Sequence, residues 1–382
     1  MIDVLPSEAI TARIIEDVAE WDVIRHDWDS LHAASPTASS MLDFCWLRCW
    51  WQIYGPVYGA GGLRIITLWR EAQLVGALPL YIDNRRGSPY AAQCLRFVST
   101  GEEEYEETCP DYLNLLHLPG EEMACTHAAW VAVDTLHWDT LEFIDIPVDS
   151  PLLRWRAAFS GNERLKIVPR GSCPIAVIGD GFEAYLTRLS SKTRMRARQE
   201  MRKVARSGAM FELATRENVD SYFDDLIRIH QKRWIADGKP GCFSSPRFTE
   251  FNRLLVSEWA ASGRLVLARL SYRGVAHVVL YGFVTKGKFD LYQLGVEPIE
   301  GVAIHSPGIA ANLLLMAQLA EMGVAHYDFL RGTSPYKKSL TTEQRDVVCL
   351  TCRKPTARAL FDQAMQLLMR VVRKMGRLAS RH

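Results

Sequence analysis

The stretch that decides the fold covers residues 292–338, YQLGVEPIEGVAIHSPGIAANLLLMAQLAEMGVAHYDFLRGTSPYKK. Its pattern predicts a strand, an irregular loop, a helix that begins at Ser306-Pro307-Gly308, and a buried strand over Val324–Leu330. Ser306 suits a helix N-cap, and Pro307 suits the first helical position, where no N–H is needed. A helix start has free N–H groups and a positive dipole, so it attracts anions. The stretch therefore predicts an α/β unit with an anion site.

Polar residues gather where the predicted strand ends, and they are Asp328, Arg331, Tyr336 and Lys337. Such a cluster beside an anion-binding helix start is typical of an active site. A capped helix between two structural strands is the alternative, because Ser-Pro-Gly alone is a weak motif.

Several short motifs resemble one family. Ser306-Pro307-Gly308, residues 327–332 (YDFLRG) and Tyr336-Lys337 resemble the C-terminal half of GNAT-like acyltransferases related to CelD and the FemAB group. The weaker upstream matches are Tyr185-Leu186, residues 189–194, His230, Arg233-Trp234, Gly238, Trp50-Trp51 and Asp111-Tyr112.

The resemblance implies a mixed α/β fold with two tandem GNAT-like domains, each a mixed central sheet flanked by helices. In that fold two central strands splay apart, and acyl-CoA lies between them with its pyrophosphate on the helix start. The residues that the resemblance assigns to this donor are Ser306, Gly308, Ile309 and Arg331. The usual R/Q-x-x-G-x-G/A loop is missing, and residues 300–308 replace it. FemAB enzymes, which take their acyl group from aminoacyl-tRNA, are therefore an alternative model.

Acyl transfer to an amine needs a base, an oxyanion donor and an acid for the leaving group. Asp328 is the first candidate for the base, and His305 and His277 compete with it because imidazole titrates near neutral pH. The resemblance implies that Tyr336 is the acid and that Lys337 binds a carbonyl oxygen or a phosphate. The candidates for acceptor binding are His230, Arg233, Trp234, Asp111 and Trp51.

Length and composition limit the number of domains and the expected location of the protein. The chain has 382 residues, a net charge of +1 and nine cysteines. We expect domains at 1–170 and 171–352, with the first shaping the substrate cleft. No signal peptide, no apolar run of about 20 residues and no disulfide framework is recognisable, so a cytoplasmic location is expected. Cys349 and Cys352 form an isolated CxxC, and no metal is expected.

The hydrophobic periodicity predicts the remaining elements. Predicted helices cover residues 20–34, 43–54, 151–159, 182–207 and 222–236. Predicted strands cover residues 63–69, 74–82, 94–98, 111–118, 141–146, 264–270, 275–284 and 289–296. Trp46, Trp50 and Trp51 on the second helix are interpreted as core, with a ligand groove as the alternative.

Two charged segments have competing interpretations. Residues 102–107 (EEEYEE) predict either a solvated loop or an attractor for a cation or amine at the mouth of a cleft. The helix at 182–207 carries eight Lys or Arg residues against Glu183 and Glu200. It is either a solvated face or a surface for phosphates or anionic lipid.

The tail at 353–382 has eight basic residues and one acidic residue, Asp362. Phe361, Met365, Leu368 and Val372 recur at helical spacing, which predicts a basic amphipathic helix. The helix over 356–382 either packs on its own domain, dimerises, or lies on an anionic membrane surface.

Taken together, the sequence predicts an N-acyltransferase that uses acyl-CoA or a similar thioester. The expected acceptor is the amine of an amphiphilic lipid or a sugar in envelope lipid or polysaccharide biosynthesis. Two alternatives stay open: transfer from aminoacyl-tRNA, and a non-catalytic GNAT-like scaffold in an exopolysaccharide complex.

Overall fold

The structure is a computed structural model that describes residues 9–83, 91–154, 165–332 and 334–365. Within this part of the chain, thirteen strands form one mixed sheet in the order β1-β2-β3-β4-β6-β13-β7-β12-β11-β10-β9-β8, with β5 beside β3. The first part contains β1 (Thr11–Ile15), α1 (Val18–Val23), α2 (Arg25–Ala34), α3 (Phe44–Tyr58), β2 (Leu63–Arg70), β3 (Gln73–Asp83), β4 (Cys94–Phe97), β5 (Leu116–His117), α4 (Glu122–Thr135) and β6 (Thr140–Pro147). The second part contains β7 (Lys166–Val177), α5 (Phe182–Arg188), α6 (Ser191–Ser207), β8 (Met210–Leu213), α7 (Val219–Ala236), α8 (Pro246–Ala260), β9 (Leu265–Tyr272), β10 (Val275–Thr285), β11 (Lys288–Val296), α9 (Pro307–Glu321), β12 (His326–Asp328), α10 (Pro335–Leu340) and β13 (Glu343–Arg353).

The two halves repeat one arrangement. Each has an edge strand, helices, three consecutive strands, a helix, and then a strand that runs parallel to the third of those strands. The parallel pair is β4 with β6 in the first half and β11 with β12 in the second. The strand order is therefore mirrored about the centre of the sheet, and the predicted mixed α/β fold with two tandem units is confirmed.

Two strands outside this repeat, β7 and β13, join the halves at the centre of the sheet. β7 follows β6 in the chain but pairs with β12 of the second half, whereas β13 ends the second half but pairs with β6 of the first. β7 and β13 also pair with each other over nine residue pairs. The predicted boundary at residue 170 falls within β7, so the domain limits stay a prediction.

Local sequence explains the elements that frame the second half. Gly274 and Gly287, each after a residue with φ of 51°, form the tight turns of the predicted β9-β10-β11 meander, which is confirmed. Left-handed backbone at both turn positions matches the twist of a hairpin. The predicted helix over 182–207 is in fact two helices, α5 and α6, because Leu189 and Ser190 between them are not helical. The Ser190 side chain caps α6 by accepting from the Thr193 N–H.

An aromatic cluster joins the two halves. Trp46 of α3 packs edge-on against Phe251 of α8 and Tyr292 of β11, with ring centroids 5.0 and 5.4 Å apart. Trp46 and Trp50 have no exposed surface, so the interpretation of these residues as core is confirmed. Burial of rings of this size contributes much of the free energy that holds the halves together.

The acidic loop is not simply solvated. Glu106 is 1% exposed and accepts hydrogen bonds from Tyr58, from Ser245 Oγ at 3.0 Å and from Arg247 at 3.2 Å. Its carboxylate thus connects α3 of the first half with α8 of the second. Glu103 and Glu104 are exposed, as the solvated alternative expects.

Other predicted elements need correction. The strand expected over 111–118 is reduced to β5, because residues 111–115 turn inward and bond to β6 through the Tyr112 N–H and Asp145 O. Of the helix expected over 151–159, the described residues form a short 3₁₀ turn at Pro151–Leu153, and residues 155–159 lie outside the described part of the chain.

The sequence patterns missed α4, α8, β1 and β7. β7 was hidden because Pro169, Gly171 and Pro174 interrupt its apolar residues, yet it lies at the centre of the sheet. Its pairing with β13 is irregular at this point, between Val347 and Val348, and a bulge is where a strand tolerates proline and glycine.

The tail prediction lies mostly outside the described residues. A helix begins at residue 357 and is described to residue 365, with Leu360 and Phe361 each more than half exposed. In the part of the chain that can be described, no helix is long and apolar enough to cross a membrane. Cys349 and Cys352 are both buried on β13.

The Glu106 contacts predict a large stability loss on truncation. Glu106→Ala leaves the Tyr58 and Ser245 hydroxyls without their buried acceptor, so we expect the free energy of unfolding to fall by about 2–4 kcal/mol. Urea unfolding followed by circular dichroism measures this. The exposed Glu104→Ala in the same loop is the control and should change stability little. Equal effects of both variants would show that Glu106 does not join the halves.

Candidate active site

The central feature of the second half is a split in the sheet. β11 and β12 pair at only three positions, the last being Asp290 with Asp328. Beyond it, β11 continues to Val296, whereas the chain after β12 turns away and Phe329 N bonds to Pro174 O of β7. The side of β11 that faces away from β10 therefore becomes an open strand edge from Leu291 onward.

Asp328 lies at the apex of this split and is fully buried. It accepts hydrogen bonds from the Tyr112 hydroxyl at 2.7 Å, the Lys288 ammonium at 3.3 Å and the Leu330 N–H at 2.8 Å. Leu330 has a left-handed backbone, with φ of 54°, which Asp328 stabilises through this last bond. These contacts favour a positioning role for Asp328 over the predicted role of base.

Lys288 balances the negative charge of Asp290 and Asp328 at the apex. Its ammonium lies 2.6 Å from Asp290 and 3.3 Å from Asp328. Burial opposes its charge, but the two carboxylates outweigh burial and raise the pKa of Lys288. The apex is thus a buried ion cluster, and Tyr112 from the first half completes it.

A second buried cluster lies beside the first. Asp111 accepts from the Arg331 backbone N–H at 2.8 Å, and the Arg331 guanidinium lies 3.0 Å from Asp145 of β6. Burial, and next the charge of Asp145, raise the pKa of Asp111 to about 7. A carboxyl with such a pKa can accept and release protons near neutral pH.

Tyr336 and Lys337 approach the same region from α10. Lys337 donates to Phe329 O at 2.7 Å, and burial lowers the pKa of its ammonium. Burial raises the pKa of Tyr336 to about 12, so its hydroxyl stays protonated at neutral pH. The charge of Arg233, from the end of α7, acts on Tyr336 in the opposite direction.

The predicted anion site at the start of α9 is partly occupied by the protein itself. The Glu200 carboxylate of α6 accepts from the His305 and Ser306 N–H groups, each at 3.2 Å. The first backbone bond inside the helix is from Ala310 to Ser306 O, which leaves Gly308 N and Ile309 N for another acceptor. Arg196 donates to Ser306 Oγ at 3.0 Å and adds positive charge here.

The predicted histidines have different surroundings. His230 is buried, and its Nε2 accepts from the Trp234 indole at 2.8 Å. Burial lowers the pKa of His230 to about 4, so the ring is neutral. His305 is exposed next to Glu200, and the His277 ring bonds to Pro298 O at 2.9 Å.

Trp51 lies apart from these clusters. Its ring covers Gly55 and Gly59 of the same helix, where an added Cβ would lie 2.9 Å or less from the indole. We therefore interpret Trp51 as a packing residue of α3.

The first half has an equivalent split, and it is filled. β4 and β6 pair at three positions, ending at Arg96 with Glu142. The chain then folds back into the gap, where Tyr112 N bonds to Asp145 O and Tyr81 donates to Thr100 O. The filled split supports the expectation that the first half shapes the cleft of the second.

Sequence reasoning missed Tyr112, Lys288, Asp145 and Glu200 as site residues. Only Tyr112 carried a signal, since it is half of the Asp111-Tyr112 match. The other three lie inside ordinary strand or helix patterns, and their roles follow from long-range contacts. No group of His, Cys, Asp and Glu in the described ranges is arranged to hold a metal ion.

The geometry agrees with known proteins. The family model of the acetyltransferase (GNAT) domain matches residues 191–338. The chain is similar in structure to FemX, with a TM-score of 0.57 and 12% identity over 85% of this chain and 95% of that one. It is also similar to a conserved protein from Bacteroides thetaiotaomicron VPI-5482, with a TM-score of 0.52 and 11% identity over 90% and 100% of the two chains.

A third similar structure is the C-terminal domain (DUF2156) of a protein described as a lysylphosphatidylglycerol synthetase from Agrobacterium fabrum. Its TM-score is 0.51 at 13% identity, covering 91% of this chain and 97% of that one. Identities this low show a shared fold. No curated protein matches the chain significantly in sequence.

The contacts of Asp328 predict that Asp328→Asn costs stability. The variant leaves Lys288 with one carboxylate and turns an amide N–H toward a donor, so we expect a loss of about 2–4 kcal/mol in unfolding free energy. Asp149→Asn, at an exposed ion pair with Arg345, is the matched control. Unchanged denaturation midpoints in both variants would refute the structural role of Asp328.

Proposed function

We propose that this chain transfers an acyl group from a thioester donor to an amine, since residues 191–338 match the family model of the acetyltransferase (GNAT) domain. The observation that carries the proposal is the split between β11 and β12, with the start of α9 on one side and Tyr336-Lys337 on the other. An extended donor arm can add to the open edge of β11 through backbone hydrogen bonds.

The surroundings of α9 support a donor that carries phosphates. Gly308 N and Ile309 N precede the first internal bond of α9, from Ala310 N to Ser306 O, and Arg196 donates to Ser306 Oγ. Arg194 and Arg202 on α6 bond to backbone carbonyls rather than to carboxylates, so their charge stays available. Acyl-CoA, with its pyrophosphate on this helix start, is the proposed donor.

Asp111 is the proposed base. Burial and the charge of Asp145 raise its pKa to about 7, so its carboxyl can accept a proton near neutral pH, and it accepts a hydrogen bond from the Arg331 N–H at the side of the split. The acceptor ammonium gives a proton to Asp111, and the free amine nitrogen then attacks the thioester carbonyl carbon. Asp328, buried at the apex, holds Leu330 and Tyr112 in place.

Tyr336 and Lys337 complete the reaction. Lys337 uses one of its N–H groups on Phe329 O, and the others can bind the oxyanion of the tetrahedral intermediate. When the carbon–sulfur bond breaks, the thiolate takes the Tyr336 proton. The nitrogen, still positively charged, returns a proton to Tyr336, so the products are an amide and a free thiol.

Aminoacyl-tRNA is the second candidate donor, and α6 favours it. This helix has 17 residues, about 25 Å long, and its exposed face is rich in arginine. Such a stripe suits several phosphates of a nucleic-acid backbone. Glu200 also takes part of the helix start that a pyrophosphate would use.

The proposed acceptor is an amphiphilic lipid amine or an amino sugar. Association with an anionic membrane through residues 356–382 is part of this proposal, because that segment is strongly basic in sequence. His230 and Trp234 at the end of α7 are proposed to line the acceptor side, near Arg233 and Tyr336.

The proposed base predicts a pH dependence. Because Asp111 must be ionised, the rate should fall as pH drops through about 7. Asp111→Asn should lower kcat/KM by roughly 10²-fold or more and abolish this acidic limb, and Tyr336→Phe should lower kcat. His277→Gln, whose ring bonds only to a loop carbonyl among the described contacts, is the control. An unchanged pH profile in Asp111→Asn would overturn the assignment.

Thermal shifts can identify the donor. A ligand at 100 times its dissociation constant stabilises the folded protein by about 2.7 kcal/mol. We expect acyl-CoA to raise the melting temperature, and Arg196→Ala to reduce this shift. Arg154→Ala, at an exposed ion pair on the first half, is the matched control. A shift with aminoacyl-tRNA alone would favour the second donor, and no shift with either would favour the scaffold.

A further inference from the structure

The outward face of α6 is a basic stripe. Its members are exposed and recur at helical spacing, and they are Lys192, Met195, Arg196, Gln199, Arg202 and Arg206. The opposite face of the helix, with Ala197, Glu200 and Val204, is buried beside α9. The stripe therefore presents four basic side chains and no acidic one to the surroundings of the protein.

Ion pairs within the protein leave the charge of the stripe uncompensated. In the described part of the chain, Arg198 at the edge of the stripe pairs with Glu183 at 2.6 Å, and the half-buried Lys203 pairs with Glu200 at 2.7 Å. The four basic residues of the stripe itself have no carboxylate within ion-pair distance among the described residues. Arg202, for example, donates to the backbone oxygen of Arg198 at 3.2 Å. A surface with uncompensated charge of one sign attracts a partner of the opposite sign.

Met195 favours a protein over a nucleic-acid backbone as that partner. Its side chain is 64% exposed in the middle of the stripe, between Lys192 and Arg196. Met and Arg are both enriched where proteins bind proteins, and the flexible thioether of Met adapts to an apolar partner surface. A row of phosphates has no apolar surface for this side chain. An acidic protein surface with apolar side chains between its carboxylates fits the whole stripe.

The stripe leads to the donor end of the split. Arg196 donates to Ser306 Oγ at 3.0 Å, next to the start of α9. An added Cβ at Gly308 would lie 3.0 Å from Val296 Cγ2, so this helix start packs on the end of β11. From Val296 back to Leu291, the open edge of β11 is about 17 Å long. An extended phosphopantetheine arm can follow this edge from the helix start toward the apex.

Glu200 limits the negative charge that the start of α9 can accept. Its carboxylate is 3% exposed and already accepts from two backbone N–H groups there, each at 3.2 Å. Pro307 has no N–H, so Gly308 N and Ile309 N are the groups that precede the first internal bond of the helix. Because like charges repel, a fixed carboxylate at this place suits a single phosphodiester better than the more highly charged pyrophosphate.

We propose that the basic stripe of α6 docks an acidic carrier protein, whose acyl group arrives as a thioester on a phosphopantetheine arm. The inference rests on the proposed function and deepens it, because it names a protein as the source of the thioester. The phosphodiester of the arm binds at the start of α9. The acceptor nitrogen displaces the sulfur from the acyl carbon, and the carrier protein leaves with a free thiol. Acyl-CoA carries the same arm and enters the same split without contacts to the stripe.

Binding of the full chain to a carrier protein tests the stripe without measuring catalysis. The probe is a dye-labelled bacterial acyl carrier protein whose palmitoyl group is joined to the arm by an amide, so that no transfer occurs. Fluorescence anisotropy measures its dissociation constant. We expect the double variant Arg202→Glu, Arg206→Glu to weaken binding about 10-fold or more, because each reversal replaces attraction by repulsion.

The same double variant should leave the binding of palmitoyl-CoA nearly unchanged. Arg202 and Arg206 lie about 9 and 15 Å along the helix from Arg196, so their charges are largely screened at the start of α9. Thermal shifts with palmitoyl-CoA measure this. The matched control is Arg216→Glu, since Arg216 is also exposed and donates to a backbone oxygen, but it precedes α7 on the other face of the sheet. It should change neither affinity.

Three results would overturn the docking surface. The first is equal affinity of the carrier protein for the wild type and the double variant. The second is equal affinity of the wild type for the loaded carrier protein and for one without its arm, which would show unspecific attraction. The third is binding of aminoacyl-tRNA that the double variant weakens, with no binding of the carrier protein, which would assign the stripe to nucleic acid.

Failure of the docking surface and failure of the proposed function give different results. Acyl transfer from palmitoyl-CoA to an amine, with no binding of the carrier protein, would support the function and refute the docking surface. Carrier binding that depends on the stripe, with no acyl transfer from either thioester, would support the docking surface and refute the function.

Discussion

The pairing of β7 with β13 is the constraint on which the rest of the structure depends. β13 pairs with β6 of the first half, and β7 pairs with β12 of the second, so this central pair connects the two halves of the sheet. β6 and β12 therefore lie on the two sides of one central pair. The two parallel splits therefore face a common centre, where the loop of the first half reaches the apex of the second.

Buried charge is concentrated at this centre, and it surrounds two aspartates in different ways. Asp328 is surrounded by a lysine, a hydroxyl and a backbone N–H, so its acceptor capacity is used for structure. Asp111 shares Arg331 with Asp145, and this competition together with burial gives it a pKa near neutrality. Environment, rather than residue type, decides which carboxyl can move protons.

The sequence was informative where local patterns determine structure. The β9-β10-β11 meander follows from its turn residues, and the start of α9 follows from Pro307 at the first helical position; both were predicted, although the Ser306 side chain makes no capping bond. β7 was missed because its prolines are tolerated only through its irregular pairing with β13. The cluster of Asp328, Arg331, Tyr336 and Lys337 was found, but the contributions of Lys288, Asp145 and Glu200 depend on contacts between distant parts of the chain, which periodicity does not encode.

The proposed function places the donor in the split of the second half and the acceptor amine beside it, so that the acyl group ends on nitrogen. A single-turnover incubation of the full chain with an isotope-labelled acyl-CoA and a long-chain primary amine, analysed by tandem mass spectrometry, tests this most directly. With enzyme in excess over acyl-CoA, we predict that the label is recovered on the amide, in an amount up to that of the acyl-CoA supplied. Recovery of unmodified amine with the label still on the thioester would contradict it.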